Sequence, residues 1–277
     1  MILDGKLVSD IIRTKVKEEV ASISEEIKLL VILVGNDPAS QIYVASKEKA
    51  CKKAGIKSIT KVLDENVTQK ELIQTIKEAN EDRSIHGILL QLPLPKHLVE
   101  HEVINQILPY KDVDGLTDIN QGKLFTGQKA IVPATPKGIM HILNHYQIEI
   151  AGKNTVVIGR SLLVGKPVAM LLLQENATVT MAHSKTKNLK EITKKADILV
   201  SAVGRPNFIT ADMVKPEAVV IDVGINRVHG YVVGDVEYSE VENIAGYITP
   251  VPGGVGPMTI ASLLENVVEC YKLCNKI

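Results

Sequence analysis

The sequence has no tryptophan, only seven tyrosines and two phenylalanines, and only three cysteines among its 277 residues. So few aromatic rings exclude a ring-rich core and argue against a surface that stacks nucleic-acid bases. The three cysteines, Cys51, Cys270 and Cys274, are too few and too scattered for a disulfide framework. We therefore expect an aliphatic core with free thiols.

An excess of charge and a long apolar run are also missing. The 32 Lys and Arg residues balance the 32 Asp and Glu residues, so no general field attracts a polyanion and we expect no nucleic-acid partner. No apolar stretch approaches the roughly 18 residues of a membrane-spanning helix. The first residues lack the pattern of a signal peptide. We expect a cytoplasmic protein with no membrane partner.

Short β-branched runs alternate with amphipathic stretches along the chain, and its length suits about two domains of roughly 100–200 residues each. Continuous apolar runs such as Val156-Val157-Ile158 are typical of parallel strands that are covered on both faces. The pattern predicts an α/β fold. The predicted strands are 29–34, 56–63, 85–90, 155–158, 178–181, 197–202 and 218–222. The predicted helices are 5–23, 38–54, 68–80, 98–106 and 258–274.

Two irregular segments interrupt this alternation. Residues 111–137 contain scattered glycines and prolines, and we interpret them as a long loop that enters a helix near Lys137 and marks the domain junction. Residues 249–257, rich in Pro and Gly, form a second loop before the last helix.

Lys47 lies on an unusual face of the predicted helix 38–54. At about 100° per residue, Ser40, Tyr43 and Lys47 share one face, flanked by apolar positions. A partly buried lysine loses some of the solvation of its ammonium, which favours the neutral amine and suits proton transfer. Alternatively, the stem packs while the ammonium reaches water. Tyr43 is either a flat wall for a ring-shaped ligand or a core residue.

Two polar residues elsewhere are candidates to join Lys47. Gln91 follows an apolar run at a strand's carboxyl end, where open α/β sheets bind ligands, but an amide there can also cap a loop. Asp114 either accepts hydrogen bonds from a heterocycle or is an ordinary turn aspartate.

Residues 156–170 read as strand, turn and helix start, with Gly159 and Gly165 flanking the turn. The amides of this turn and the helix N-terminus are suited to phosphate. The spacing fits neither a Walker A loop nor G-x-G-x-x-G, yet the βαβ context favours a dinucleotide. After the next strand, His183, Ser184 and Lys185 stand where NAD enzymes carry an acid. With Arg160, they favour a 2′-phosphate and hence NADP.

Two histidine pairs have the i,i+4 spacing of zinc-binding helices. His97 with His101, and His141 with His145, lack both the intervening Glu of H-E-x-x-H and a third ligand nearby. We expect no metal.

Taken together, these stretches resemble the bifunctional methylenetetrahydrofolate dehydrogenase/methenyltetrahydrofolate cyclohydrolase family. The matching segments run in family order across nearly the whole chain. They are residues 34–40 with 43–47, 91–95, 111–116, 136–138, 159–161 with 164–167, 183–186, 221–226 and 250–259.

The resemblance implies two α/β domains with a cleft between them. A folate-binding catalytic domain would comprise residues 1–136 and 258–277, and a Rossmann-type, doubly wound NADP domain residues 137–257. It also implies a homodimer and a folate substrate that can carry a polyglutamate tail.

The resemblance also assigns site residues. Lys47 takes the family's catalytic role, with Gln91 orienting it, Tyr43 against the folate ring and Asp114 holding that ring. The other implied folate contacts are Leu90, Leu92, Pro252, Gly253, Gly254, Val255 and Gly256. The implied NADP contacts are Gly159, Arg160, Ser161, Val164, Ser184 and Ile225.

The implied reaction has two steps. Methylenetetrahydrofolate is oxidised with NADP to methenyltetrahydrofolate, which water then opens to 10-formyltetrahydrofolate, with Lys47 as acid and base. The alternatives are a cyclohydrolase with weak or no dehydrogenase activity, a dehydrogenase for another small substrate, and a non-catalytic dinucleotide-binding module.

Overall fold

The computed structural model describes residues 1–276, with only the backbone of Ala39, and strands and helices alternate in it as predicted. The strands are β1 (Lys28–Val34), β2 (Lys57–Leu63), β3 (Gly87–Leu90), β4 (Asn154–Ile158), β5 (Thr178–Ala182), β6 (Ile198–Ser201), β7 (Val219–Asp222), β8 (Asn226–Val228), β9 (Tyr231–Val233) and β10 (Tyr247–Ile248). The helices are α1 (Gly5–Ser22), α2 (Pro38–Ala54), α3 (Gln69–Glu81), α4 (Glu100–Ile104), α5 (Asp118–Phe125), α6 (Ala134–His145), α7 (Gly165–Gln174), α8 (Leu189–Thr193), α9 (Tyr238–Val241) and α10 (Val255–Asn275).

The chain forms two compact units. The three-stranded unit comprises residues 11–133 and 262–276, and the five-stranded unit comprises residues 1–10 and 134–261. The domain ranges predicted above placed residues 1–10 with the first half of the chain. In the structure, Leu3 N donates to Ile248 O at 2.8 Å and Ile2 bridges to Ile248 in parallel, so the N-terminus extends the sheet of the five-stranded unit beyond β10.

The three-stranded unit is built on a parallel sheet in the order β2-β1-β3. Strands β1 and β3 are buried along almost their whole length, which explains their continuous apolar sequences. Leu72 and Ile76 of α3 pack on this sheet with Ile32 and Ile88, all at most 1 % exposed. The aliphatic core that the sequence predicts is confirmed here.

The five-stranded unit contains a parallel sheet in the order β10-β7-β6-β4-β5. The chain adds β5 on one side of β4 and then returns to add β6 on the other side. The strand order therefore reverses between β4 and β6, as in doubly wound nucleotide-binding folds. The α/β fold with a Rossmann-type second half is confirmed.

Three predictions about the irregular segments were wrong in detail. The long loop at 111–137 contains α5, whose eight residues are too few to show a helical period, and the next helix starts at Ala134 rather than near Lys137. The last helix starts at Val255 instead of Met258, because a proline is tolerated in a first helical turn. The hairpin β8–β9 and the two-residue strand β10 were not predicted.

Every helix within residues 1–276 is too short or too polar to span a bilayer.

Candidate active site

Lys47 and Gln91 meet in the three-stranded unit. Lys47 Nζ donates to Gln91 Oε1 at 3.1 Å, and Gln91 is 9 % exposed while Lys47 is half-buried. An ammonium only donates hydrogen bonds, so it fixes which end of the amide faces it. The pairing predicted between these two residues is present.

Helix α2 presents Lys47 through well-defined ends. Asp37 accepts from Ser40 N at 2.8 Å as the N-cap, and Gly55 ends the helix in the left-handed conformation with φ 82°. The other lysines of the helix, Lys49, Lys52 and Lys53, are all exposed. Lys47 is thus the lysine of α2 that faces inward.

Gln91 continues directly from β3 at its carboxyl end. Its backbone N donates to Ile32 O at 2.9 Å, and its Nε2 donates to Leu92 O at 2.8 Å. The side chain therefore fulfils both interpretations left open by the sequence: it caps the turn before the cis Leu92–Pro93 bond and offers its oxygen to the lysine.

Tyr43 lies one turn before Lys47 on α2 and is 53 % exposed. The interpretation of Tyr43 as a core residue is therefore wrong. An exposed ring beside the lysine is available to a planar ligand.

Asp114 differs from its neighbours Lys111 and Asp112, whose charged groups already have hydrogen-bond partners. Lys111 is buried and donates to three carbonyl oxygens at the end of α3. The buried Asp112 carboxylate accepts from Thr117 N at 2.8 Å and Asn120 Nδ2 at 2.9 Å. Within residues 1–276, the half-buried Asp114 carboxylate has no hydrogen bond. Burial raises the pKa of Asp114, and the Lys47 ammonium opposes this rise.

The backbone around Asp114 is held by Asn266 of α10, a residue that sequence reasoning missed. This buried amide donates to Val113 O at 2.9 Å and to Val132 O at 2.8 Å. Its signal in the sequence is an amide that stands, next to Glu265, between the apolar pairs Leu263-Leu264 and Val267-Val268.

The predicted folate-binding residues Pro252, Gly253 and Gly254 belong to the five-stranded unit, where they line a small cavity with Ile225. Gly254 N donates to Pro250 O at 2.8 Å, and a Cβ on Gly254 would lie 2.6 Å from that oxygen. Two further predicted contacts, Val255 and Gly256, lie in the first turn of α10 rather than in the loop.

The predicted dinucleotide turn lies where the strand order reverses. Gly159 follows β4 with φ 128°, and a Cβ there would lie 2.5 Å from Ala202 O. A Cβ on Gly165 would lie 2.4 Å from Gly159 O. Both glycines are therefore required by close backbone approach, which leaves a concave turn at the carboxyl edge of the sheet.

The amides of this turn divide into two groups. Ser161 Oγ accepts from Val164 N at 3.1 Å and Gly165 N at 3.3 Å, so the start of α7 already has partners. Among residues 1–276, no hydrogen bond uses the backbone N–H groups of residues 160–163. We conclude that these four amides, more than the helix start, are the donors available to a phosphate.

The other predicted NADP contacts lie around the turn. Gly159 N donates to Ala182 O at 2.9 Å, which ties the turn to the end of β5, where Ser184 follows. Arg160 and Ser184 are exposed, Val164 is half-buried, and Ile225 is 53 % exposed on the loop after β7. The two polar side chains thus emerge from the carboxyl ends of neighbouring strands.

Two buried carboxylates in the five-stranded unit were not assigned any role from the sequence. Asp222 and Asp235 are 3 % and 0 % exposed. Burial raises the pKa of Asp222 to about 6, although three backbone N–H donors, from Gly224, Asp235 and Val236, oppose the rise. Their signal in the sequence is an acid inside an apolar run next to a glycine, as in Gly234-Asp235-Val236.

The histidine pairs have other partners. His101 Nε2 contacts Asp118 Oδ1 and His97 Nε2 contacts Val67 O, both at 3.0 Å. Within residues 1–276, no group of three potential metal ligands occurs.

Both halves of the chain match models of known protein families. The family model of the tetrahydrofolate dehydrogenase/cyclohydrolase catalytic domain matches residues 3–114, and that of the NAD(P)-binding domain matches residues 133–275. The chain is 54% identical to the bifunctional protein FolD of Exiguobacterium sibiricum over 98% of this chain and 99% of that one.

Solved structures agree in fold. FolD methylenetetrahydrofolate dehydrogenase/cyclohydrolase from Campylobacter jejuni is 48% identical with a TM-score of 0.97, covering 100% of this chain and 99% of that one. The Trypanosoma brucei enzyme, solved with NADP cofactor and inhibitor, is 38% identical with a TM-score of 0.94 over 100% of this chain and 99% of its own. With both domain models matched in order and more than half of the residues identical to a full-length relative, the chain belongs to the tetrahydrofolate dehydrogenase/cyclohydrolase family.

Proposed function

We propose that the protein oxidises 5,10-methylenetetrahydrofolate to 5,10-methenyltetrahydrofolate with NADP and then hydrolyses the product to 10-formyltetrahydrofolate. The observation that carries this proposal is the hydrogen bond between Lys47 and Gln91, in a chain whose two halves match the two domains of the family. A module that only binds dinucleotides has no need of an inward-facing lysine held by an amide.

The five-stranded unit fits NADP. The turn at Gly159 and Gly165 is closed to side chains by backbone contacts, and the amides of residues 160–163 point to no protein acceptor within residues 1–276. When bound, NADP accepts the hydride from the one-carbon bridge of the folate. The chain's own part in this step is to orient the two ligands.

Lys47 carries out the proton transfers of hydrolysis. Water adds to the methenyl carbon and loses one proton, which gives a neutral carbinolamine. The carbon–nitrogen bond then breaks as the hydroxyl loses its proton to solvent and becomes the formyl C=O, and the nitrogen that leaves receives a proton, so one proton is released overall. An amine at Lys47 Nζ can take the proton from the added water and give it to the leaving nitrogen. Gln91 Oε1 accepts a hydrogen bond from Lys47 Nζ, so it holds Nζ in one direction during both transfers.

Tyr43 and Asp114 bind the folate ring in this proposal. The exposed Tyr43 ring supplies a flat surface, and the Asp114 carboxylate, without a hydrogen-bond partner among the described residues, accepts from ring N–H groups. Leu90 and Leu92 flank Gln91 and complete the folate-binding wall of the three-stranded unit, and residues 252–256 supply the folate contacts proposed for the other unit. The three-stranded unit is thus the folate-binding catalytic domain and the five-stranded unit the NADP domain.

NADP is preferred over NAD because Arg160 and Ser184 follow neighbouring strands, and residues 183–186, after the second of these strands, include no acid. A 2′-phosphate gains charge-assisted hydrogen bonds from these groups. We also infer a cytoplasmic homodimer that acts on polyglutamylated folate. Sedimentation equilibrium tests the oligomeric state, with twice the chain mass of 30.2 kDa as the expected result.

A two-substrate assay on one preparation tests the function. With methylenetetrahydrofolate and NADP, we expect NADPH absorbance to rise. With methenyltetrahydrofolate alone, we expect the methenyl absorbance to disappear faster than in buffer. Hydrolysis without NADPH formation at any cofactor concentration would leave a monofunctional cyclohydrolase, and the absence of both would overturn the proposal.

A further inference from the structure

The loop that follows β6 is fastened to a buried acid far along the chain. The Asp235 carboxylate accepts from three consecutive backbone N–H groups at 2.7, 3.2 and 2.9 Å. These donors are Val203, Gly204 and Arg205. Because hydrogen bonds to a carboxylate are stronger than those between neutral groups, this single side chain fixes the course of the loop.

The carboxylate itself is held from the other side. Asp235 N donates to Asp222 Oδ1 at 2.9 Å, and Asp235 O accepts from Ile209 N at 2.9 Å. Ser201 Oγ and Asn226 Nδ2 also donate to the carboxylate, at 3.3 and 3.1 Å. Asp235 is therefore positioned independently of the loop, and the loop adapts to it.

Two glycines beside the buried acids, Gly224 and Gly234, leave no room for a side chain. A Cβ on Gly224 would lie 2.3 Å from Asp235 Oδ1, and one on Gly234 would lie 1.8 Å from Asp222 Oδ2. The loops after β6 and β7 are thus packed directly on the two acids. The link continues to the loop after β10, since Asp222 N donates to Thr249 Oγ1 at 2.8 Å.

The fastened loop borders the cofactor turn. Ala202 N donates to Ile158 O at 2.8 Å, and Ala202 O contacts Gly159 so closely that no Cβ fits there. Residues 203–205 follow at once. They therefore lie at the point of strand reversal, where doubly wound sheets bind dinucleotides.

The positive charge of Arg160 sets the direction in which the cofactor would lie across the carboxyl edge of the sheet. A 2′-phosphate at Arg160 and Ser184 places the adenosine half at the ends of β4 and β5. A dinucleotide that crosses the reversal point then extends its nicotinamide half over β6 and β7. The loops that meet that half, 202–205 and 223–226, are the two that contact Asp235.

Three consecutive N–H groups that converge on one point form a concavity that binds anions. In this protein, Asp235 already occupies the concavity formed by residues 203–205. This loop is therefore not the phosphate site, which leaves that role to residues 160–163, and its contribution to binding is its shape.

We propose that Asp235 is a positioning residue of the hydride-transfer site: its carboxylate holds residues 203–205 in the shape that receives the nicotinamide half of NADP. The proposal rests on the proposed function, in particular on the cofactor lying across the β4–β6 edge. It implies that hydride transfer depends on Asp235 and that hydrolysis, which needs no nicotinamide, does not.

The variant Asp235→Asn tests this, because the amide keeps the shape of the side chain but turns an acceptor into a donor that faces N–H groups. We expect the Kd of NADP to rise about tenfold or more, and the rate of methenyltetrahydrofolate hydrolysis to stay within about twofold. Hydrogen exchange is expected to speed up at the amides of Val203, Gly204 and Arg205.

Two controls separate this role from general destabilisation and from a wrong cofactor site. Val241→Ala removes buried side-chain volume in the same unit and lowers its stability but keeps the hydrogen bonds of Asp235 to residues 203–205, so NADP affinity is expected to hold. Gly159→Val blocks the proposed cofactor turn. If it leaves NADP binding intact, the cofactor site is misplaced, whatever Asp235→Asn does.

An unchanged Kd for NADP in Asp235→Asn, with Gly159→Val unable to bind, would overturn the proposal. If Asp235→Asn does not fold, the double variant Ser201→Ala, Asn226→Ala releases the carboxylate from its side-chain donors. We then expect faster exchange at residues 203–205 and a Kd raised about threefold. An unchanged Kd in that variant would equally contradict the role of Asp235.

Discussion

The two units arrange their functional groups in opposite ways. In the three-stranded unit, Lys47 and Gln91 are side chains on a regular helix and at the end of a regular strand, joined by one hydrogen bond of 3.1 Å. In the five-stranded unit, the edge proposed to bind the cofactor is shaped mainly by backbone: glycines in close contact with carbonyl groups, and loops hydrogen-bonded to Asp222 and Asp235.

This difference reflects the two chemical tasks. Proton transfer needs a particular functional group, which only a side chain supplies. Binding a dinucleotide needs N–H donors in a fixed shape, which backbone supplies once its course is fixed. A change of side chain is therefore expected to stop hydrolysis, and a change of backbone shape to stop oxidation.

The largest effect is expected at Gly159, where a substitution should separate the two activities. In Gly159→Val, the branched side chain meets Ala202 O at a backbone angle that valine rarely adopts. We expect dehydrogenase activity to fall about a hundredfold or more, with hydrolysis within about threefold of the parent. Steady-state assays of both activities on one preparation measure this.

Gly152→Ala is the matched control for Gly159→Val. Gly152 also has a positive φ, of 74°, but a Cβ there meets nothing within 4 Å. It therefore isolates the strain of the backbone angle, and both activities are expected to persist. Equal losses of the two activities in Gly159→Val would show that the units do not divide the chemistry.

Gln91→Leu tests the side-chain half of the comparison. It removes the acceptor of Lys47 Nζ and keeps a similar volume. We expect the turnover number for hydrolysis to fall about tenfold to a hundredfold, because the lysine loses its direction. Gln74→Leu, at a surface glutamine of α3 that donates to Glu78, is the control. Hydrolysis as fast in Gln91→Leu as in that control would remove Gln91 from the mechanism.

Arg160→Ala tests the proposed contact between this arginine and the 2′-phosphate of NADP. If Arg160 binds the 2′-phosphate, its loss raises the KM for NADP about tenfold and the KM for NAD less than about twofold. The measurement is initial rates with each cofactor, and Arg227→Ala, an exposed arginine of β8, serves as the control. Equal rises for both cofactors would contradict the assignment of the 2′-phosphate.

The smallest expected effect is on the pH dependence of the free energy of unfolding. One buried group in each unit is expected to contribute, with opposite signs. Buried His86 in the three-stranded unit accepts from Lys28 N at 3.1 Å through Nδ1, and burial lowers its pKa below the ordinary 6.5. Its unfolded form binds a proton more readily, so the free energy of unfolding falls as pH falls below 6.5. Asp222 acts oppositely: its raised pKa adds stability as pH falls from about 6 towards 3.8.

Unfolding curves against pH measure both contributions. Each slope is at most about 1.4 kcal/mol per pH unit for one proton. His86→Gln is expected to lose less stability than the parent as pH falls below 6.5, and Asp222→Asn to lose more than the parent as pH falls from about 6 towards 3.8. Parallel curves for the parent and both variants would show that neither group is linked to folding.

The sequence predicted the side-chain site better than the backbone site. Lys47 is recognisable because a lysine on the inner face of an amphipathic helix violates the pattern, and Gln91 because an amide ends an apolar strand. The two glycines of the cofactor turn also leave a local signal. The fold class, most strands and the helix α2 were predicted for the same reason.

Asp235 could not be predicted in the same way. Its partners at 203–205 lie about thirty residues away and contribute only backbone N–H groups, which every residue type carries. Helix α5 was missed because eight residues capped by Thr117 show no period. Interactions of backbone with distant side chains need the folded chain before they can be seen.

Lys47→Met, with both activities measured on the same preparation, is the sharpest test that Lys47 carries out the proton transfers of hydrolysis. Methionine keeps the unbranched stem and removes the titratable nitrogen, and Lys49→Met, at an exposed lysine of the same helix, is the control. We expect hydrolysis of methenyltetrahydrofolate to fall about a thousandfold, while NADP still binds and the protein folds as before. Hydrolysis at the rate of the control would contradict this role of Lys47.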